Sequence, residues 1–277
     1  MADLNPDWLV PDWPVPANVK AVFTTRSGGV SRPPFESLNL GEHVGDALIN
    51  VQANRAQLAK ACGAHPVFLK QVHGAEVATL TAATPDGQSA DACVTAQRQL
   101  ACTIMVADCL PVLLTLADGA AVAAAHAGWR GLAGQVHNSA HGVLETVAAS
   151  LSASFRADVQ SGRAQAAIKI VAWLGPCIGP SAFEVGAEVK AAFEASQREA
   201  GRFFVPAAAG KYLADLAGLA RQRLQALGIT DVYGNDGSDT WCTVRNPARY
   251  FSHRRDAGAN GNGFATTGRM AACVWMD

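Results

Sequence analysis

Between Leu100 and Trp129 three apolar runs, LACTIMVAD, PVLLTL and AVAAAHAGW, follow one another almost without a break. Each is too short for an ordinary helix, and each reads as a strand buried on both faces. The connections between them are too short for the helical crossover that neighbouring parallel strands require, so the layered fold they belong to is mixed or antiparallel. Asp108, Pro111, Asp118 and His126 interrupt the stretch well short of the uncharged span of about 20 residues that a bilayer demands. It is core, not membrane.

The rest of the chain is punctuated in the same style. VKAVFTT at Val19 to Thr25 is β-rich and runs into RSGGVSRPPFESLNLGEHVGD, a long irregular loop of the kind that usually has a task. Ile49 to Cys62 has helical spacing and ends at Gly63, a helix stop. VFLKQVHG, EVATL and DACVTA are short β-favouring runs. Gly131 to Leu151 reads as a helix, IKIVAWLG as a strand, and EVGAEVKAAFEAS and KYLADLAGLARQRLQALG as two further helices, the second stopping at Gly228. RYFSHRRD and RMAACVWM return to β character around AGANGNGFA, whose composition reads as a flexible tip. Strands outnumber helices, and the expected fold is one layered α/β domain over residues 1–277, with residues 1–18 as an extended surface arm.

Hydrophobic residues make up 49% of the 277 and charged residues only 16%, against about 25% charged in an average soluble protein. A large core follows, and disorder does not. Net charge is −1 and no window gathers the basic cluster that would track a phosphate backbone, which excludes polymeric nucleic acid as the expected partner. The start, MADLNPDWLVPDWPVP, lacks a signal peptide's basic and apolar regions, so a cytoplasmic location is expected. The seven cysteines include no CxxC pair; reduced thiols are expected, most of them packing residues. The six tryptophans are scattered and read mostly as core.

Three motifs share one form, a strand ending in a metal-competent residue with a turn-former close behind: QVHG at His73, ADCLP at Cys109 and AHAGW at His126. PVLLTL and AVAAAH flank a hairpin connection at Ala117 to Ala120, and counting outward from its centre places Cys109 and His126 within one or two pairing positions. A thiolate and an imidazole so placed are either a nucleophile with its base or two ligands of a borderline-soft metal. With His73 added, one Cys and two His give zinc three protein ligands and leave a fourth position open, a catalytic count. Arg26 opens SGGVS, where inward-turned N–H groups and a guanidinium would hold an anion such as phosphate; the plain alternative is a glycine turn with a solvated arginine. Asn39, in the same loop, is taken with Arg26 as substrate-binding. His43 in that loop and Asp108 beside Cys109 are the candidate acid and base, although a regular strand would turn Asp108 to the opposite face from Cys109. His137 and His141, four apart on the expected helix, have no further ligands nearby and read as a polar face. SHRRD at Ser252 to Asp256 reads as an exposed ion-pair cluster.

TTRSGGVS at 24–31, SLNLGEHVGD at 37–46, QVHG at 71–74, DACVT at 91–95, ADCLPVLL at 107–114, AHAGWRG at 125–131, GPCIGP at 175–180, FEVG at 183–186 and TGRMAA at 267–272 together resemble the laccase-domain family, once called multicopper polyphenol oxidases and later assigned as purine nucleoside phosphorylases or peptidoglycan editing factors. The resemblance covers nearly the whole chain. It implies a fold like that of the cytotoxic-necrotizing-factor deamidases, zinc on His73, Cys109 and His126, and Arg26 facing substrate or phosphate. It further implies phosphorolysis of purine nucleosides (adenosine, inosine, methylthioadenosine) to free base and ribose 1-phosphate, together with adenosine deamination. The editing-factor name implies the rival reading, a zinc- or Cys/His-dependent hydrolase of cell-wall precursors; a non-catalytic zinc-binding protein is a further alternative. Copper oxidation ranks below these, because blue-copper and trinuclear sites need many His, typically in H-x-H pairs, and this chain has seven His and no such pair. AGANGNGFAT between Asp256 and Thr267 departs from the family's shorter passage and bears on the rim of the pocket.

Overall fold

A computed structural model describes residues 4–134, 141–159, 169–256 and 266–277. The strands are β1 Val19–Phe23, β2 His65–Phe68, β3 Val77–Thr79, β4 Ala92–Thr95, β5 Leu100–Val106, β6 Leu110–Leu116, β7 Val122–Ala127, β8 Ile170–Leu174, β9 Glu184–Val185, β10 Phe204–Pro206, β11 Tyr212–Ala214, β12 Asp231–Gly234 and β13 Met270–Met276. The α-helices are α1 Leu48–Cys62, α2 Trp129–Ala133, α3 Val143–Val159, α4 Ala187–Ser196, α5 Leu216–Ala226 and the single turn α6 His253–Asp256.

Two main sheets carry the molecule: a four-stranded one in the order β1-β13-β5-β2 and a six-stranded one in the order β12-β8-β6-β7-β4-β3, with a small sheet β10-β11-β9 beside them. Pairing is antiparallel except for β2 with β5, β3 with β4 and β12 with β8, so the expected mixed, largely antiparallel α/β sandwich is what forms. The alternation of side chains assigns the layers. In β5, Cys102, Ile104 and Val106 enter the core between the two sheets while Ala101 and Met105 face α1 and Trp8. In β6, Leu110, Val112 and Leu114 pack under α3, α4 and α5, and Leu113 turns to the inter-sheet core. The order is therefore helix, sheet, sheet, helices. Strands covered on both sides become continuous apolar runs, which is why β5, β6 and β13 are buried at every position.

Several expectations change in detail. The helix expected over Gly131 to Leu151 is two helices, because Gly134 takes a left-handed φ of 79° and caps α2 through its N–H to Arg130 O. His137 lies outside the described residues, as does the 257–265 stretch. KYLA is not helical: Tyr212–Ala214 forms β11, and the next helix begins after Asp215, whose carboxylate accepts from Gly218 N at 2.9 Å. RYFSHRRD is not a strand; Tyr250, Phe251 and Ser252 are buried without pairing and His253–Asp256 turns into α6. In the N-terminal arm, Leu9 pairs with Phe23, and Trp8 is buried with Val22 and Trp275, so part of the arm belongs to the core.

Candidate metal centre and cavity

β6 and β7 form the expected hairpin, turned by Asp118 and Gly119, with Pro111 opposite His126. Cys109, two residues before Pro111, therefore lies beside His126. Both belong to the alternation set that includes Leu113, Val122 and Ala124, so they project into the gap between the sheets at its open end. At that same end the chain leaves β5 for β6, crossing from one sheet to the other through Ala107, Asp108 and Cys109. Asp108 makes the crossing with φ 101°. A regular strand is thus absent there.

His73 arrives from a loop, not from a strand end. Beyond Phe68 the chain is irregular, and Gln71 anchors it to β5 by donating to Met105 O and accepting from Met105 N, each at 2.8 Å. Asp91, at the entrance to β4 and fully buried, does the rest. Its carboxylate accepts from the backbone N–H groups of Val72 (3.1 Å), His73 (2.9 Å) and Gly74 (2.7 Å) and from Nδ1 of His126 at 2.8 Å. One carboxylate thus positions both histidines, holding His73 by its backbone, in a left-handed φ of 61°, and His126 by its ring. With Nδ1 engaged, His126 offers Nε2.

The ligand atoms of His73, Cys109 and His126 all lie within 4.8 Å of one another, with Cys109 Sγ 3.8 Å from His73 Nε2. Among the described residues this is the group with metal-binding geometry. His126 is buried, Cys109 half-buried and His73 exposed, so the group opens toward solvent on one side. Burial pushes the Cys109 thiol up, but the positive charge of His126 and hydrogen bonds from His126 and His73 outweigh it and bring it down to about 6. Burial likewise opposes charge on His126, yet the Cys109 thiolate and Asp91 raise it to about 9. Without metal the pair is thiolate and imidazolium. A soft thiolate with two imidazoles, one braced by a carboxylate, suits a divalent transition metal. Gly128 permits the convergence: a methyl group there would sit 3.0 Å from His73 Cδ2 and 3.1 Å from Cys109 Sγ.

The group forms one wall of a cavity of about 290 Å³. Met105, Val106, Trp129, Ile178, Phe183 and Leu216 supply its apolar lining, while His43, Asp108, His253, Arg254 and Arg269 bring polar groups. Burial first, then the charges of Arg269 and Arg55, hold the His43 imidazole below its ordinary range. Asp108 borders the cavity, but both its oxygens are engaged, accepting from Thr243 Oγ1 and from Arg254 N at 2.6 Å each. It fastens the cavity mouth.

Arg26 and Asn39 are not among the lining residues. The Arg26 guanidinium donates to Glu36 O and Pro247 O and lies over the Phe251 ring. The N–H groups expected to cradle an anion are engaged within the loop: Gly29 N donates to Ser37 Oγ, Val30 N to Asn54 Oδ1 and Ser31 N to Ser37 O. Asn39 is fully buried; its amide donates to Gly41 O and Asp46 and accepts from Gly41 N and Arg269 N. It orders the loop and the backbone of a lining residue. Within SHRRD, Arg255 pairs with Asp256 as an ion-pair reading expects, while His253 and Arg254 turn to the cavity. Asp91, Gly128 and Arg269 escaped the sequence reading although DACVT, AHAGW and TGRM were all in view. An acid at a strand entrance and an arginine after a glycine carry no signal of what they face.

A family model described as multi-copper polyphenol oxidoreductase laccase matches residues 20–277. A purine nucleoside phosphorylase of Pseudomonas aeruginosa is 46% identical over 271 residues, covering 97% of this chain and 98% of that one. A protein of the same name from Escherichia coli is 43% identical over 270 residues, covering 97% and 98%. Among solved structures, a Neisseria meningitidis protein superposes with a TM-score of 0.82 at 41% identity over 98% of this chain and 99% of its own. A Bacillus licheniformis protein does so with 0.76 at 29%, over 94% and 93%. Matched over nearly its full length, the chain belongs to the laccase-domain family and is an enzyme.

Proposed function

We propose that this enzyme is a zinc-dependent purine nucleoside phosphorylase that also deaminates adenosine. The observation that carries the reading is the joining of a Cys/His/His group to a mostly apolar cavity of about 290 Å³, in a chain whose relatives bear the phosphorylase name over nearly their whole length. Apolar walls with a few convergent polar groups suit a flat heteroaromatic base attached to a sugar. His73, Cys109 and His126 would hold the ion; zinc is favoured over copper by the tetrahedral-type donor set of one thiolate and two imidazoles. When bound, the metal supplies Lewis acidity and a more acidic water at neutral pH.

In phosphorolysis a phosphate oxygen forms the new bond to the ribosyl C1′ as the bond from C1′ to the purine nitrogen breaks, and the base leaves with the bonding electrons and gains a proton. His43, kept neutral by its surroundings, stands on the cavity wall as the group to relay that proton, taking one from dihydrogen phosphate at one ring nitrogen as the other passes its own to the departing base, while Trp129, Ile178, Phe183 and Leu216 exclude bulk water. Deamination replaces the purine amino group by oxygen from water and releases ammonia. Cys109 acts as a ligand, not a nucleophile.

The test is product identification. Metal-replete enzyme is incubated with adenosine, inosine, methylthioadenosine and a muropeptide precursor, each with and without phosphate. Free base and ribose 1-phosphate that form only with phosphate, and inosine from adenosine without it, are expected. Cleavage of the muropeptide precursor with no nucleoside turnover would replace this reading by the cell-wall hydrolase, and stoichiometric copper with phenol oxidation by the oxidase.

A further inference from the structure

Arg269 enters the cavity wall just before β13. Its backbone is fixed on both sides, N–H to Asn39 Oδ1 at 3.0 Å and carbonyl to Leu40 N at 3.1 Å. The side chain is held by one nitrogen, Nη1, which donates to Thr267 O at 2.8 Å and Gly268 O at 3.2 Å. Among the described residues Nε and Nη2 make no hydrogen bond and no carboxylate pairs with the guanidinium. The adjoining 257–265 stretch, AGANGNGFA, contains no acid. Asp108 and Cys109 are the negative groups nearest in effect, and each is committed elsewhere, Asp108 to Thr243 and Arg254 N, Cys109 to the His73 and His126 group.

A half-buried guanidinium without a counter-ion is costly unless something anionic joins it. Its free edge offers a fork suited to two oxygens of one oxyanion. His43 stands beside it: a methyl group on Gly41 would lie 2.8 Å from Arg269 Cγ and 3.4 Å from His43 Cε1, so Gly41 is the space between them. Both side chains share the cavity with the metal-binding group, whereas Arg26, the arginine favoured by the sequence, is occupied with Glu36 O and Pro247 O.

We propose that the unpaired edge of Arg269, with His43 beside it, is the subsite for inorganic phosphate in this cavity. The assignment rests on the phosphorolytic reading for its role, though not for the binding itself. Arg269 holds the attacking phosphate by two parallel hydrogen bonds, and Asn39 serves it indirectly by fixing the Arg269 backbone. The reaction balance is that given above, with one phosphate oxygen bonding to C1′ and the purine departing with the electron pair.

The experiment is calorimetric titration of metal-replete full-length enzyme with inorganic phosphate, and separately with acetate, for wild type, Arg269→Gln and Arg269→Lys. Metal content and melting temperature are checked, and KM for phosphate and for inosine is measured on the same preparations. Arg269→Gln is expected to weaken phosphate by about 30-fold or more and to raise KM for phosphate, with KM for inosine and metal content unchanged. Arg269→Lys keeps the charge but loses the fork, and falls between. If Arg269→Gln melts early or loses metal, the lysine variant decides. Phosphate affinity within twofold of wild type in the variant that remains folded overturns the proposal, as does wild type that binds no phosphate or binds acetate equally well. Phosphate binding that depends on Arg269 in an enzyme that cleaves no nucleoside keeps the subsite and removes the phosphorolytic reading. Phosphorolysis with a phosphate KM indifferent to Arg269 does the reverse.

Discussion

Asp91 is the residue on which the metal centre turns. Its carboxylate is held below the ordinary range because, although burial alone would raise it, the hydrogen bond and charge of His126 and the N–H groups of Gly74 and Val72 outweigh burial. Asp91→Asn keeps the shape but sets an amide NH₂ against N–H donors, so His73 and His126 lose their common anchor. Metal affinity is expected to fall about 10- to 100-fold, measured by competition with a chromophoric chelator; unchanged affinity would show that the ligands hold themselves. A second expectation concerns protons. Between about pH 7 and 8.5, with Cys109 near 6 and His126 near 9, the metal-free pair already carries a thiolate, and the proton to be displaced is that on His126. Metal binding should release about one proton from this pair, and apparent affinity should climb about tenfold per pH unit, flattening above about 9. Calorimetry in buffers of different ionisation enthalpy reads the count. Release of two protons in that range would mean a protonated thiol in the metal-free protein.

At the scale of elements, the site depends on how closely a helix can approach a loop. α2 begins immediately after Gly128, and Gly131, within it, lies so near the His73 loop that a methyl group there would be 2.5 Å from Gly74 O. Backbone cannot yield as a side-chain tip can. Gly131→Ala, normally a gain in helix propensity, is therefore expected to push the 71–74 loop away, lowering metal occupancy while leaving most of the fold and its circular dichroism intact. Full metal occupancy in that variant would mean that the loop has slack. The β6–β7 hairpin shows the opposite case. Its strand alternation and the Asp118-Gly119 turn were readable in advance, and they bring Cys109 beside His126 by pairing alone. The helix boundaries were less readable, since Gly134 and Asp215 impose ends that apolar periodicity runs straight through.

The whole molecule is two sheets with helices on their outer faces, and the cavity lies where the sheets part. Asp108, at φ 101°, marks the passage of the chain between them, and Thr243 and Arg254 hold it there. Stability comes from the cores on either side of the sheets as well as between them. Trp8, on the N-terminal arm, is 6% exposed and closes the outer core with Val22, Leu58 and Trp275. Trp8→Ala is expected to cost about 3 kcal/mol in denaturant unfolding while leaving metal content unchanged, because the arm touches none of the ligands. A loss below about 0.5 kcal/mol would return the arm to the surface.

Local order alone decided the buried strands, the hairpin, the stop of α1 at Gly63 and the nearness of Cys109 to His126, because alternation, turn residues and caps act over a few positions. The convergence of His73 on that pair, suspected from its motif, was beyond such reasoning; it needs β2 and β6 in different sheets and a carboxylate 18 residues downstream holding its backbone. Tertiary structure also decided which charges face the cavity. Arg26 and Arg269 both lie near glycines, yet the first donates through two nitrogens, to a carbonyl of its own loop and to that of distant Pro247, while the second, among the described residues, keeps a free edge. The difference is made by what packs against each guanidinium, and packing between positions 221 apart in the chain leaves no trace in the neighbouring sequence.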